Sequence, residues 1–185
     1  MFWRAIDWFY QTVEYTVQKG LFSGTSDTTF EPNELVTRAM LVTILWRAEG
    51  MPKTEVAMIF EDVDLGGYYT EAVRWAASKE IVHGHSERKF APDDNITREQ
   101  IAAIMYRYAK YKGYDVSVGE ETNILSYTDF EEISEYAIHA MQYAAGVGLM
   151  KGKTESTLNP RDHATRAETA AILQRFLELN QAKEK

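Results

Sequence analysis

Threonine followed by arginine occurs three times, at Thr37-Arg38, Thr97-Arg98 and Thr165-Arg166, each time ahead of a row of apolar residues. Threonine suits the N-cap of a helix, where its hydroxyl accepts a backbone N–H of the first turn. Three residues after the threonines stand Met40, Gln100 and Glu168. The second and third copies therefore complete a capping box and the first does not. Capping does not explain the arginines. A cation at the first helical position faces the positive end of the helix dipole, at a cost of roughly 0.3–1 kcal/mol. A disfavoured residue placed identically three times calls for a partner. Two partners fit. One is an acid of a neighbouring copy, in an internal salt bridge. The other is a bound carboxylate or phosphate, on which the guanidinium fork and free helix N–H groups converge. The residues alone leave both open.

The same interval separates a glycine from each arginine: 24 to 38, 84 to 98 and 152 to 166. Between them lie Pro32, Pro92 and Pro160. Gly24, Gly84 and Gly152 read first as tight-turn residues with positive φ, and secondly as places where a ligand approaches bare backbone. Ser26, Ser86 and Thr154 put a hydroxyl in each loop. Trp8, Tyr68 and Tyr136 precede the glycines by one fixed interval, and Tyr15, Trp75 and Tyr143 by another. Trp8, Tyr68 and Tyr136 are either core residues or platforms for a sugar ring. Core packing is the expectation for aromatics of a helical protein.

Other chemistry finds no residues to carry it. His83, His85, His139 and His163 stand in no metal-binding spacing, and Asp93-Asp94-Asn95 lacks the glycine and closing glutamate of a calcium loop. No phosphate-binding loop, no Gly-x-Ser-x-Gly and no distinctive carboxylate pair is present, so neither a metal nor a cofactor is expected. The chain has no cysteine, which removes thiolate sites and disulfides. A net charge of −8 argues against a nucleic-acid partner. No apolar run approaches the roughly 18 residues of a membrane helix, so no membrane insertion is expected. The start, Met1-Phe2-Trp3-Arg4-Ala5-Ile6-Asp7, has no charged-then-apolar pattern and is not read as a signal peptide; a secreted parent would carry its leader elsewhere.

The elements that must position these residues read as helix, loop, helix in each copy. Helical spacing between turn signals predicts helices at 8–19, 38–48, 69–80, 98–112, 135–147 and 166–180. The first helix of each copy should close at Gly20, Glu80 or Gly148. Glycine takes the left-handed closing conformation readily, and Glu80 departs from that preference. Residues 115–124 look like the longest connector. The copies span 1–50, 51–120 and 121–185, the first trimmed at its start. Two helices bury too little surface alone, so an all-α body is expected, with three helix-loop-helix repeats packed around a pseudo-threefold axis.

In this register the repeats resemble S-layer homology domains. The resemblance is carried by Trp8, by Gly20-Leu21-Phe22-Ser23-Gly24, Phe30-Glu31-Pro32 and Val36-Thr37-Arg38-Ala39-Met40, by Phe60-Glu61-Asp62-Val63 leading to Ile96-Thr97-Arg98-Glu99-Gln100, and by Asp129-Phe130 leading to Ala164-Thr165-Arg166-Ala167-Glu168. It covers nearly the whole chain. It implies a three-pronged, non-catalytic module that is a monomer in isolation and works at the cell surface by binding secondary cell-wall polysaccharide. In that family the ligand is often a pyruvate-ketal sugar, whose carboxylate would pair with the motif arginine. Carried over by position, the ligand-binding candidates are Arg38, Arg98, Arg166, Gly24, Gly84, Gly152, Trp8, Tyr68, Tyr136 and Ser86. Arg98 is expected to matter most, and its removal to leave stability nearly unchanged. The competing reading is a structural repeat for protein–protein assembly, with the arginines as interface salt bridges.

Overall fold

A computed structural model describes residues 8–26 and 29–181. The N-terminal heptapeptide, on which the expectations of an absent leader and a trimmed first copy rest, lies outside the described residues. The helices are α1 (Tyr10–Gln18), α2 (Arg38–Ala48), α3 (Thr70–Ser78), α4 (Arg98–Tyr111), α5 (Val118–Glu121), α6 (Ile138–Gly146) and α7 (Arg166–Gln181). Among the described residues there is no β-strand beyond isolated bridges. The six expected helices are all present, within a few residues of their expected ends. The start of the helix expected at 135–147 is a 3-10 turn, Glu135–Ala137. The short α5 lies inside the stretch read as connector.

Capping follows the sequence. Thr37, Thr97 and Thr165 accept the amides of Met40, Gln100 and Glu168, and only Gln100 and Glu168 reach back to the cap amide. Gly20 and Gly148 close their helices with φ of 68° and 70°. Glu80 does the same at φ 57°, a conformation that costs an L-residue roughly 1–2 kcal/mol.

The helices of one copy do not form a hairpin. Each second helix packs on the first helix of the next copy: α2 on α3, α4 on α6, and α7 back on α1. The chain thus closes into a pseudo-threefold ring of three helix pairs. At its centre the amide of Val36 donates to the carbonyl of Ala164 (3.0 Å), Ala164 to Ile96 (3.2 Å), and Ile96 to Val36 (2.9 Å). All three side chains are fully buried. The core continues outward through Leu21, Ile81 and Leu149 and through Phe30, Phe90 and Leu158. In α4, Ile101, Ile104, Met105 and Tyr108 form one buried face at helical spacing.

Candidate functional site

The motif arginines find their partners across the copy boundaries. Arg38 donates from Nε to the carbonyl of Phe90 (2.9 Å) and from Nη2 to that of His83 (3.0 Å). Arg98 reaches Leu158 (2.9 Å) and Lys151 (2.7 Å) in the same way, and Arg166 reaches Phe30 and Ser23 (both 2.7 Å). Each arginine therefore grips the loop of the following copy, and the third grips the first. None of the three makes a salt bridge among the described residues. Where one of the two readings placed an acid of a neighbouring copy, backbone carbonyls stand instead, and they accept charge-assisted bonds without adding a buried carboxylate. Burial lowers all three guanidinium pKa values, yet arginine stays protonated at any physiological pH.

The free helix N–H groups of the anion reading are also taken. The amides of Arg38 and Ala39 donate to Asp94 and Pro92, those of Arg98 and Glu99 to Asp162 and Pro160, and those of Arg166 and Ala167 to Glu34 and Pro32. The next amide of each helix bonds the capping threonine. The same contacts argue against the expectation that removing an arginine leaves stability unchanged, because truncation strands buried carbonyls. All three arginines are buried, at 5–7% exposure.

The loops are built to present those carbonyls. Gly24, Gly84 and Gly152 do not have the positive φ expected of them. Glycine is needed because a Cβ would run into two carbonyl oxygens of its own loop, those of Ser86 and Lys89 in the case of Gly84. The residues before the prolines, Glu31, Ala91 and Asn159, do have positive φ, at 55°, 58° and 51°. In the second copy the carboxylate of Asp62 accepts the amides of Phe90 (2.8 Å) and Ala91 (2.7 Å). Asp129 does the same for Leu158 (2.9 Å) and Asn159 (2.6 Å). Burial alone would raise the Asp62 pKa, but these amides and Lys89 outweigh it and hold the carboxyl below the ordinary range.

Trp8, Tyr68 and Tyr136 are not core residues. They are 67%, 61% and 53% exposed. The second aromatic row supplies the core instead, with Trp75 and Tyr143 buried. Residue type could not separate the rows; the difference is that Trp75 and Tyr143 lie on the inner faces of α3 and α6.

Two adjoining cavities, of about 440 and 480 Å³, form one groove along α4. Arg38, Gly84, His83, His85, Glu99, Gln100, Arg107 and Tyr136 line the first, with Ala103 and Ile104. His83, Ala103, Arg107 and Tyr136 continue into the second, beside Lys79, Glu80, Lys110 and His139. The groove thus takes an arginine from copy one, a loop and helix from copy two and an aromatic from copy three. Residues grouped by copy in the sequence are regrouped in space: Gly84 meets Arg38 and Tyr136, whereas Arg98 serves the Gly152 loop. Ser86 lies beyond Gly84 in the same loop, paired by a bridge with Lys89, and does not line these cavities. Arg98, Arg166, Gly24, Gly152, Trp8 and Tyr68 do not line them either.

Glu99 fixes one wall. It is 6% exposed and accepts the Ser134 amide (2.9 Å), the Ser134 hydroxyl (2.8 Å) and the Tyr136 hydroxyl (3.2 Å). Burial and then the Glu99 charge push the Tyr136 pKa up to about 12, so the phenol stays protonated. Burial, then Arg107, lowers the His83 pKa, and burial, then Arg38, lowers that of His85. The lowered pKa values of His83 and His85 favour neutral imidazoles there, beside the exposed ring of Tyr136, the guanidinium groups of Arg38 and Arg107, and the charged side chains of Lys79, Glu80 and Lys110. Sequence reading missed Arg107, although its spacing from Arg98 repeats as Arg47 after Arg38 and Arg175 after Arg166.

The profile of the S-layer homology domain matches residues 3–39, 59–102 and 126–170. The chain belongs to the S-layer homology family. Its S-layer homology repeats recur in proteins of different named activities. An endoglucanase of Bacillus sp. (strain KSM-635) is 32% identical over 94% of this chain and 18% of its own length. Exoglucanase XynX of Acetivibrio thermocellus is 30% identical over 93% of this chain and 16% of its own. A cellulosome-anchoring protein of Acetivibrio thermocellus is 23% identical over 80% of this chain and 33% of its own. The chain spans less than a fifth of the length of the first curated relatives it matches.

Proposed function

We propose that this S-layer homology module is a non-catalytic anchor that holds its parent protein to the bacterial cell wall by binding secondary cell-wall polysaccharide. The observation that carries the reading is the groove at α4, where an exposed aromatic, Tyr136, faces the Arg38-bound loop. An aromatic face beside fixed polar groups suits a sugar, which has an apolar ring face and a polar rim. Relatives named as glucanases, a surface-layer protein and an anchoring protein share this stretch, which fits a role in placement that is independent of the attached activity. The ligand is an anionic sugar, such as one bearing a pyruvate ketal, and the motif arginines, loop glycines and exposed aromatics are its candidate contacts. Arg38 has Nη1 left for such a contact among the described residues. The test is retention by purified walls before and after their polysaccharide is stripped. Anchoring requires retention by the first and release from the second; equal retention points to a protein or peptidoglycan partner.

A further inference from the structure

Arg47, Arg107 and Arg175 occupy one position of the three second helices, yet they are not equivalent. Arg47 donates from Nη1 to the carbonyl of Leu21 (3.4 Å) and to the Ser23 hydroxyl (3.2 Å). Arg175 donates to the carbonyl of Leu149 (3.2 Å). Both are thereby tied to the loop of their own copy. Ile81 holds the matching position in the second copy, but Arg107 does not bond it. Among the described residues no hydrogen bond or ion pair reaches the Arg107 guanidinium. It is half-buried and lines both cavities of the α4 groove.

No acid among the described residues pairs directly with Arg107. Arg38 is a second cation, with two of its nitrogens spent on carbonyls. Two acids line the groove: Glu99, whose carboxylate three donors already occupy, and Glu80, which stands beside Lys79 and Lys110 in the second cavity and makes no ion pair with Arg107 among the described residues. A partly desolvated guanidinium without an acceptor gains most from an incoming oxyanion, with which it can form two parallel bonds. Tyr136 offers the ring face of the same groove.

We propose that Arg107 is the specificity-determining residue of this module: it pairs with a carboxylate on a sugar of the wall polysaccharide in the α4 groove, where, unlike Arg47 and Arg175, it is not tied to its own loop. This rests on the glycan-anchor reading. The probe is polysaccharide released from the walls of the host bacterium, used intact and after chemical reduction of its carboxyl groups. Arg107→Ala should weaken binding of the intact polymer at least tenfold and leave binding of the reduced polymer at the wild-type level. Arg107→Lys should recover part of the loss. Arg47→Ala and Arg175→Ala should change affinity less than twofold while lowering the melting temperature. If Arg107→Ala and Arg107→Lys both bind the intact polymer like wild type, or lose equally on both polymers, the assignment is overturned while the anchor reading stands. A folded wild type that binds neither polymer refutes the anchor reading and the assignment with it.

Discussion

Arg38 and Phe90 are joined twice: the guanidinium donates to the Phe90 carbonyl at 2.9 Å and lies 4.8 Å from the centre of its ring. Arg166 repeats this with Phe30, at 2.7 Å and 4.3 Å. Arg98 meets Leu158, which has no ring. The motif arginines are thus mutual clasps between copies, and two of the three add a cation–π contact. Arg38→Ala and Arg166→Ala should each destabilise the module by about 3 kcal/mol, the scale of lost charged hydrogen bonds. Arg98→Ala should cost less by about 0.5–1 kcal/mol, the missing cation–π contribution. Urea unfolding of the three variants would check the order.

Glu80 holds the left-handed closing position that Gly20 and Gly148 hold in the other copies. Relief of that conformation, less the chain entropy glycine adds to the unfolded state, predicts that Glu80→Gly stabilises by about 0.5–1 kcal/mol. Gly148→Ala should destabilise instead. Paired thermal melts would show opposite shifts.

Asp62 ties its loop through two amides, and its pKa is held below that of an unfolded aspartate. A depressed carboxyl contributes stability that is complete above the unfolded value of about 3.9 and is lost as pH falls through the folded value. The melting-temperature gap between wild type and Asp62→Ala should therefore be full at pH 7 and shrink only below about pH 4. A gap that closes near neutrality would show that another group is responsible.

The helix pairs cross the copy boundaries, so a single copy contains neither partner of its own helices. Residues 51–120 hold α3 and α4, whose packing partners are α2 and α6. Expressed alone, that segment should lack a cooperative thermal transition. A melt as sharp as that of the whole chain would show that the copies do not depend on one another.

What the sequence disclosed was local. Thr97 and Gln100 form a capping box because cap chemistry needs only neighbouring residues, and the helix ends at Gly20 and Gly148 follow from φ alone. What it withheld was cyclic. The partner of Arg38 lies in the next copy and that of Arg166 in the first, and no interval along the chain reveals that permutation. Backbone carbonyls carry no residue signature, so neither the clasp on His83 nor the occupied amides of Arg98 and Glu99 could be read from side-chain types. Tyr68 and Trp75 are both large aromatics with one polar handle, and only the ring closure decides which faces water. Arg107 was visible as a repeated arginine, but its lack of a loop partner depends on a contact that Arg47 makes and it does not.

The central claim, a sugar-binding groove assembled from three copies, is tested most directly at Tyr136. The measurement is calorimetric titration of wild type, Tyr136→Ala and Tyr136→Phe with purified secondary cell-wall polysaccharide, alongside thermal melts. Loss of a stacking ring predicts at least tenfold weaker binding for Tyr136→Ala. Tyr136→Phe, which keeps the ring and loses only the bond to Glu99, should bind within a few fold of wild type, with both variants folded. Wild-type affinity in a folded Tyr136→Ala would contradict the groove as the binding site.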